Sequence, residues 1–161
     1  METPLDNQTR ISNERALANL IVSYAFANDD ADIKKLGDIF ENAVFKLAGI
    51  TATGREEIEA VAGSIIQVMP EGRSSTTHEI TNIVIEVDDN GTSAQAQSYW
   101  TLYKTVSGQP REAVLSGRYE DIFKYDSSRW TFKERVATIL WKLDLSMFFN
   151  TTGLIKAITK L

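Results

Sequence analysis

The chain is 161 residues long, 43% hydrophobic and 24% charged, with a formal charge of -5, no cysteine and one histidine. That balance fits one globular domain over residues 1–161 with a single sizeable core, and the missing thiols with the lone imidazole exclude disulfides, thiolate nucleophiles and a multi-histidine zinc or iron centre within one chain. The acidic charge argues against general attraction to nucleic acid and no apolar run approaches the length of a membrane span, so neither nucleic acid, a membrane nor a metal is expected as a partner.

The polar opening Met1-Glu2-Thr3-Pro4-Leu5-Asp6 lacks the basic-then-apolar layout of a signal peptide, which points to a cytoplasmic protein. Residues 1–11 read as a loose arm, after which Ser12 or Asn13 caps a helix with Leu17, Leu20, Ile21, Tyr24 and Ala25 at i, i+3, i+4, i+7, i+8 spacing. Asn28-Asp29-Asp30 interrupts it, and Ala31 to Phe40 is predicted as a shorter helix with Ile33, Leu36 and Phe40 along one face. Asp30 fits the cap of that second helix, so one aspartate caps while the other is available for chemistry. A short strand is expected from Asn42 to Ala48, and Thr53-Gly54-Arg55-Glu56 matches a capping box opening a third helix that carries Ile58, Val61, Ala62, Ile65 and Met69 as far as Pro70.

Beyond Pro70 the period becomes strand-like. Thr76 to Val87, a turn at Asp88-Asp89-Asn90-Gly91, and a return from Ser93 to Val106 predict a hairpin. Gly108-Gln109-Pro110 and then Asp126-Ser127-Ser128 set off two more strands, Ala113 to Tyr125 and Arg129 to Trp141, completing a meander of four. Helices ahead of strands indicate an α+β architecture with an antiparallel sheet wrapped over the helices. In the tail, residues 142–161, the apolar run Leu143 to Phe149 and a short amphipathic helix with Leu154, Ile155 and Ile158 are expected over a pocket mouth or a subunit contact. The last residues, Thr159-Lys160-Leu161, match the peroxisomal Ser-Lys-Leu address only faintly.

Alternation on the first long strand puts His78, Ile80, Asn82, Val84 and Glu86 on one face and Glu79, Thr81, Ile83, Ile85 and Val87 on the other. Neither face is uniformly apolar. The same holds around Arg118, where Val114, Ser116, Arg118, Glu120 and Ile122 oppose Leu115, Gly117, Tyr119, Asp121 and Phe123. Mixed faces suggest a curved sheet enclosing something partly polar. By spacing alone His78 is either a solvated residue near a strand end or a group facing that cavity. Tyr24 shares the buried helical stripe, its hydroxyl needing a partner, and Arg118 and Arg135 read as sheet-surface ion pairs or as anion binders. Apolar residues such as Ile83, Ile85 and Val87 on an outer face predict a homo-oligomer.

Short patterns recur in order along nearly the whole chain: Tyr24-Ala25-Phe26-Ala27-Asn28-Asp29-Asp30, Thr77-His78-Glu79-Ile80-Thr81-Asn82, Ser98-Tyr99-Trp100, Ser116-Gly117-Arg118-Tyr119-Glu120-Asp121, Trp130-Thr131-Phe132-Lys133-Glu134-Arg135 and Asp144-Leu145-Ser146. Together they resemble the SnoaL-like family, part of the superfamily named after nuclear transport factor two that includes polyketide cyclases, scytalone dehydratase, ketosteroid isomerase and the hexachlorocyclohexane dehydrochlorinase. The resemblance implies a cone-shaped barrel, a strongly bent sheet closed by helices around a ligand cavity, assembled as a dimer or trimer. In dehydratase-like and dehydrochlorinase-like members an aspartate near the end of the first helix supports a strand histidine acting as base, and those positions fall here on Asp29 and His78. Scytalone dehydratase looks to a second active-site histidine, which this chain lacks.

The implied function is cofactor-independent proton transfer on a small, mostly apolar organic substrate, by dehydration, elimination, isomerisation or cyclisation. Free imidazole has a pKa of about 6.5, so a neutral His78 takes a carbon-bound proton near neutral pH. Asp29 would fix its tautomer and Tyr24 would donate to a developing oxyanion, with Asn82, Trp100 and Arg118 as the expected substrate-binding residues and Arg118 adding positive potential. Two other readings compete, a ligand-binding protein without turnover and an association module. A bonded His78–Asp29 pair bordering a cavity favours the enzyme, whereas a cavity filled by aromatic side chains favours association.

Overall fold

The computed structural model describes residues 5–104 and 107–143. Its elements run α1 (Asn7–Asp29), α2 (Ile33–Ile39), β1 (Val44–Leu47), β2 (Ile50–Thr53), α3 (Gly54–Ile65), β3 (Thr76–Val87), β4 (Ser93–Lys104), β5 (Glu112–Asp126) and β6 (Arg129–Lys142). The strands form one six-stranded sheet in the order β2-β1-β6-β5-β4-β3. The three helices cover its concave face, and one core of Leu17, Ile21, Leu36, Phe40, Phe123 and Phe132 with their neighbours fills the space between. The α+β class and the four-strand meander are therefore as the sequence implies. Two features of the expected barrel are corrected: β1 runs parallel to β6, so the sheet is mixed, and among the described residues β2 and β3 are its two edges, so it does not close. The hairpin β1–β2 turns through Ala48 and Gly49, both at positive φ (48° and 83°), the geometry of a two-residue turn. Four-residue strands are too short to show a period, which is why β2 is not legible in the sequence.

Several boundaries move for identifiable reasons. Asp6 caps α1, its Oδ1 accepting the Thr9 amide at 3.0 Å, and the Leu5 amide donates to the Asp89 carbonyl at 3.1 Å, so the predicted arm is helix from Asn7. Asp30 closes α1 rather than opening α2; Asp32 caps α2 by accepting the Lys35 amide at 2.9 Å. Thr53 makes no side-chain cap bond to α3, and the carboxylate that reaches back to its amide, at 2.7 Å, belongs to Glu57 and not Glu56. The helix stops at Ile65, short of Pro70, and the segment after it folds back, the Ser75 amide donating to the Gln67 carbonyl at 3.1 Å. Val106 and the tail from Asp144 to Leu161, with its expected helix, lie outside the described residues. Among the described residues no helix is long and apolar enough to cross a membrane.

The mixed strand faces have a geometric cause. The β3–β4 register shifts between Thr81 and Val84, where Asn82 adopts φ 54°, a bulge that sets an extra residue into one strand and so reverses the alternation beyond it. Thr76 and His78 face inward with Ile80 before the bulge; Ile83, Ile85 and Val87 face inward after it. The expectation that these last three form an outer face is thus corrected, and Val84 is exposed instead. A second shift, where Phe123 pairs Phe132 but Ile122 pairs Glu134, places Arg135 opposite Asp121 and turns the arginine inward to meet an aspartate that alternation already puts there with Tyr119 and Phe123.

Candidate functional site

The C-terminal end of α1 abuts the start of β3. Asp29, only 7% exposed, accepts the backbone N–H of His78 with both carboxylate oxygens at 3.0 Å, and its Oδ1 lies 2.7 Å from His78 Nδ1. The Asp29 carbonyl accepts the Ser74 amide at 2.9 Å, which ties the same helix end to the loop entering β3. A carboxylate so placed acts as an acceptor, which assigns the hydrogen to Nδ1 and leaves the Nε2 lone pair as the imidazole's free basic site. A base oriented by a buried acid is a recurrent arrangement for proton abstraction. Tyr24, one turn and a half before Asp29 on α1, meets the His78 ring edge-on at 5.9 Å between centroids.

His78 stands in the wall of a cavity between the helices and the sheet, with about 110 Å³ of room for the centres of water-sized molecules, against the roughly 10–15 Å³ that one water needs. Leu36, Phe40, Phe45, Ile58, Leu102 and Leu115 give it a largely hydrocarbon surface. Its polar groups include Tyr24 and Asn28 from α1, Thr76 and His78 from β3, and Trp100 and Tyr119 from the sheet. Among the described residues no lysine, arginine, aspartate or glutamate lines it, so the space suits a small, uncharged and mostly apolar guest.

Behind this wall Arg135 is fully buried, 0% exposed. Its Nε and Nη2 each donate at 2.7 Å to the two oxygens of Asp121, and its guanidinium carbon lies 4.0 Å from the ring centre of Tyr119, 4.6 Å from that of Tyr24 and 4.8 Å from that of Phe132. Burial alone would lower the guanidinium pKa, but the charge and hydrogen bonds of Asp121 outweigh it and hold the group cationic. Burial raises the Tyr24 hydroxyl pKa, with the Arg135 charge opposing; burial and then the proximity of Tyr24 raise that of Tyr119 well above the usual phenol value. Both phenols are therefore neutral donors at physiological pH. Trp100 stacks on Tyr119 with centroids 5.4 Å apart, and only glycine at position 117 allows it: an added Cβ would stand 2.5 Å from Trp100 Cζ2 and 2.0 Å from the Thr138 carbonyl oxygen.

The structure thus brings His78, Asp29 and Tyr24 together and puts Trp100 in the cavity wall. It does not bring Asn82 or Arg118 there. Asn82 sits exposed at the bulge, and Arg118 alternates outward between the inward Gly117 and Tyr119, its guanidinium bonding Gln97 and lying 3.9 Å from Glu120. Arg135, read as a surface ion pair or an anion binder, is a core residue. Tyr119 and Arg135 are the residues that sequence reasoning missed. The phenol shared an inward face with Gly117 and could have been found, but the arginine turns inward through a register shift that no alternation reveals.

The family model described as the SnoaL-like domain matches residues 9–136. No curated protein gives a significant match. Among solved structures, one from Novosphingobium aromaticivorans DSM 12444, provisionally described as a scytalone dehydratase, is 22% identical with a TM-score of 0.69 over 86% of this chain and 91% of its own. A type 2 hexachlorocyclohexane dehydrochlorinase is 16% identical with a TM-score of 0.70, over 86% of this chain and 92% of its own. A protein of unknown function from Mycobacterium tuberculosis is 15% identical with a TM-score of 0.72, over 94% and 88% respectively. At these identities the likeness is one of fold, and fold alone does not set function.

Proposed function

The chain belongs to the SnoaL-like domain family, and on that footing we propose that it is a proton-transfer enzyme needing no cofactor, which acts on a small, mostly apolar organic molecule through His78 and Asp29. The observation that carries this reading is the 2.7 Å contact between His78 Nδ1 and Asp29 Oδ1 at the wall of an uncharged cavity. His78 Nε2 takes a proton from carbon, and Asp29 stabilises the imidazolium so formed. The bond pair left on carbon expels a leaving group, shifts a double bond or attacks a second carbon, according to what the substrate carries. The names dehydratase and dehydrochlorinase, borne by two of the similar structures, denote eliminations, and an elimination of this kind begins with a base at carbon. A positioned general base contributes about 10²–10⁴-fold, with further acceleration from orientation in a site that excludes water.

The test is carbon-bound hydrogen exchange and elimination in D2O, followed by NMR over a panel of small ketones, β-hydroxy ketones and chlorinated cycloalkanes. Wild-type protein is expected to act on at least one member. His78→Gln, with an unchanged circular dichroism spectrum, should lose about 10²-fold or more of that rate. Equal rates for the two proteins, or no action of the wild type on any member, would overturn the assignment.

A further inference from the structure

We propose that Asn90 is a self-modifying site: the Gly91 nitrogen attacks its side-chain amide, and the turn joining β3 to β4 converts to isoaspartate and aspartate. The proposal is independent of the cavity and its chemistry. Asn90 is the one asparagine in the chain that glycine follows, and it is exposed. With no Cβ, Gly91 leaves its nitrogen open to approach and can take up the backbone change that ring closure needs; it already stands at φ 70°.

The hydrogen bonds of this turn converge on the atom that would carry the charge. Thr92 donates to Asn90 Oδ1 twice, from its amide at 3.1 Å and from its hydroxyl at 2.6 Å. A backbone N–H can only donate, so the side-chain atom facing it is the carboxamide oxygen and not the nitrogen. Attack at Cγ turns that oxygen into an oxyanion, and two donors already aimed at it are the elements of an oxyanion hole. Asp88 steadies the donors, its Oδ1 sharing the Thr92 amide at 2.9 Å and its Oδ2 accepting the Ser93 amide at 3.1 Å. The Thr92 hydroxyl stands farther from Asp88 Oδ2, at 3.3 Å, than from Asn90.

In the step so arranged, hydroxide takes the Gly91 N–H proton, which lies on the Asp88 carbonyl at 3.1 Å. The nitrogen pair bonds to Cγ, the Cγ–Nδ2 bond breaks, and Nδ2 leaves as ammonia with a proton from water, which restores the hydroxide. Water then opens the cyclic imide at one of its two carbonyls. Opening at the backbone carbonyl leaves the chain running through Cγ, as isoaspartate; opening at Cγ gives aspartate. Isoaspartate adds a methylene to the main chain where the start of α1 meets the end of β3, since the Leu5 amide donates to the Asp89 carbonyl at 3.1 Å and Arg10 Nη1 to the Val87 carbonyl at 2.8 Å. The modified chain therefore holds that junction less firmly.

The test incubates the full chain in mildly alkaline water enriched in heavy oxygen and maps the segment 88–93 by mass spectrometry, beside a free peptide of the same residues. Asn90 should lose ammonia, take up solvent oxygen and yield mainly isoaspartate, faster as the pH rises. Thr92→Val, which lacks the hydroxyl donor, should react about three- to tenfold more slowly, the range of one hydrogen bond, and Thr92→Ser should restore the rate. An Asn90 that stays intact while the peptide reacts, aspartate as the sole product, or a Thr92→Val chain as fast as wild type would overturn the proposal. The isoaspartate-bearing fraction should melt below both fresh protein and Asn90→Asp, which adds the charge without the methylene; equal melting would overturn the loosened junction.

Discussion

Asp29 holds His78 by two atoms, the ring Nδ1 and the backbone amide, so its carboxylate sets both the tautomer of the base and the place of the strand that carries it. Asp29→Asn and His78→Gln are each expected to lower kcat/KM severely, and the double variant to lose far less than the product of the two, because residues acting as a unit are strongly non-additive; equal and multiplicative losses would show that they act independently. Protonated imidazole cannot accept a proton, so kcat/KM should fall on acidification in the wild type, and a pH profile of His78→Gln should lack that limb. Tyr24 was legible from the helical period and His78 as the chain's single imidazole, whereas Asp29, read as part of the break after the helix, was singled out only by the family resemblance. Arg118 was misplaced because alternation gives a side chain's parity only relative to its neighbours, and the inward parity here belongs to Gly117 and Tyr119.

At the scale of the element, the bulge in β3 decides which side chains share the cavity wall. Without it, His78 and Ile80 would share a face with Val84 and Glu86, and the apolar trio after Asn82 would face solvent. Asn82 holds φ 54°, a left-handed conformation that asparagine and glycine tolerate and that costs a β-branched residue about 1–2 kcal/mol or more. Asn82→Val should therefore lower stability in urea by about that amount, and Asn82→Gly should be close to neutral; a Val variant as stable as wild type would mean that the strand adopts another local geometry without loss. The helices and the long strands were legible because each repeats its period several times. The bulge, the β1–β2 hairpin and the true caps were not, because each depends on one or two residues whose geometry is fixed by partners elsewhere in the chain.

For the molecule as a whole, buried phenols link stability to pH. Tyr24 and Tyr119 have folded-state pKa values raised chiefly by burial, so the folded chain keeps protons that the unfolded chain releases at about pH 10. Their contribution is whole below that pH and is lost as the pH rises through the raised folded values. Thermal melts should accordingly fall above about pH 10, and Tyr119→Phe should flatten that decline. Val84, Tyr99, Ile122, Leu140 and Trp141 are exposed, apolar surface of the kind that a second copy of the chain would cover, and sedimentation at micromolar concentration is expected to show self-association; a monomer would remove that expectation. β3 is also a margin of the sheet, and a margin offers unpaired amides to any chain that drifts alongside. Asp29 occupies one of them, that of His78. The contact that aims the base therefore also shields the margin, and Asp29→Ala should scatter light as concentration rises, whereas Asp29→Asn, which still presents an oxygen to the amide, should stay dispersed.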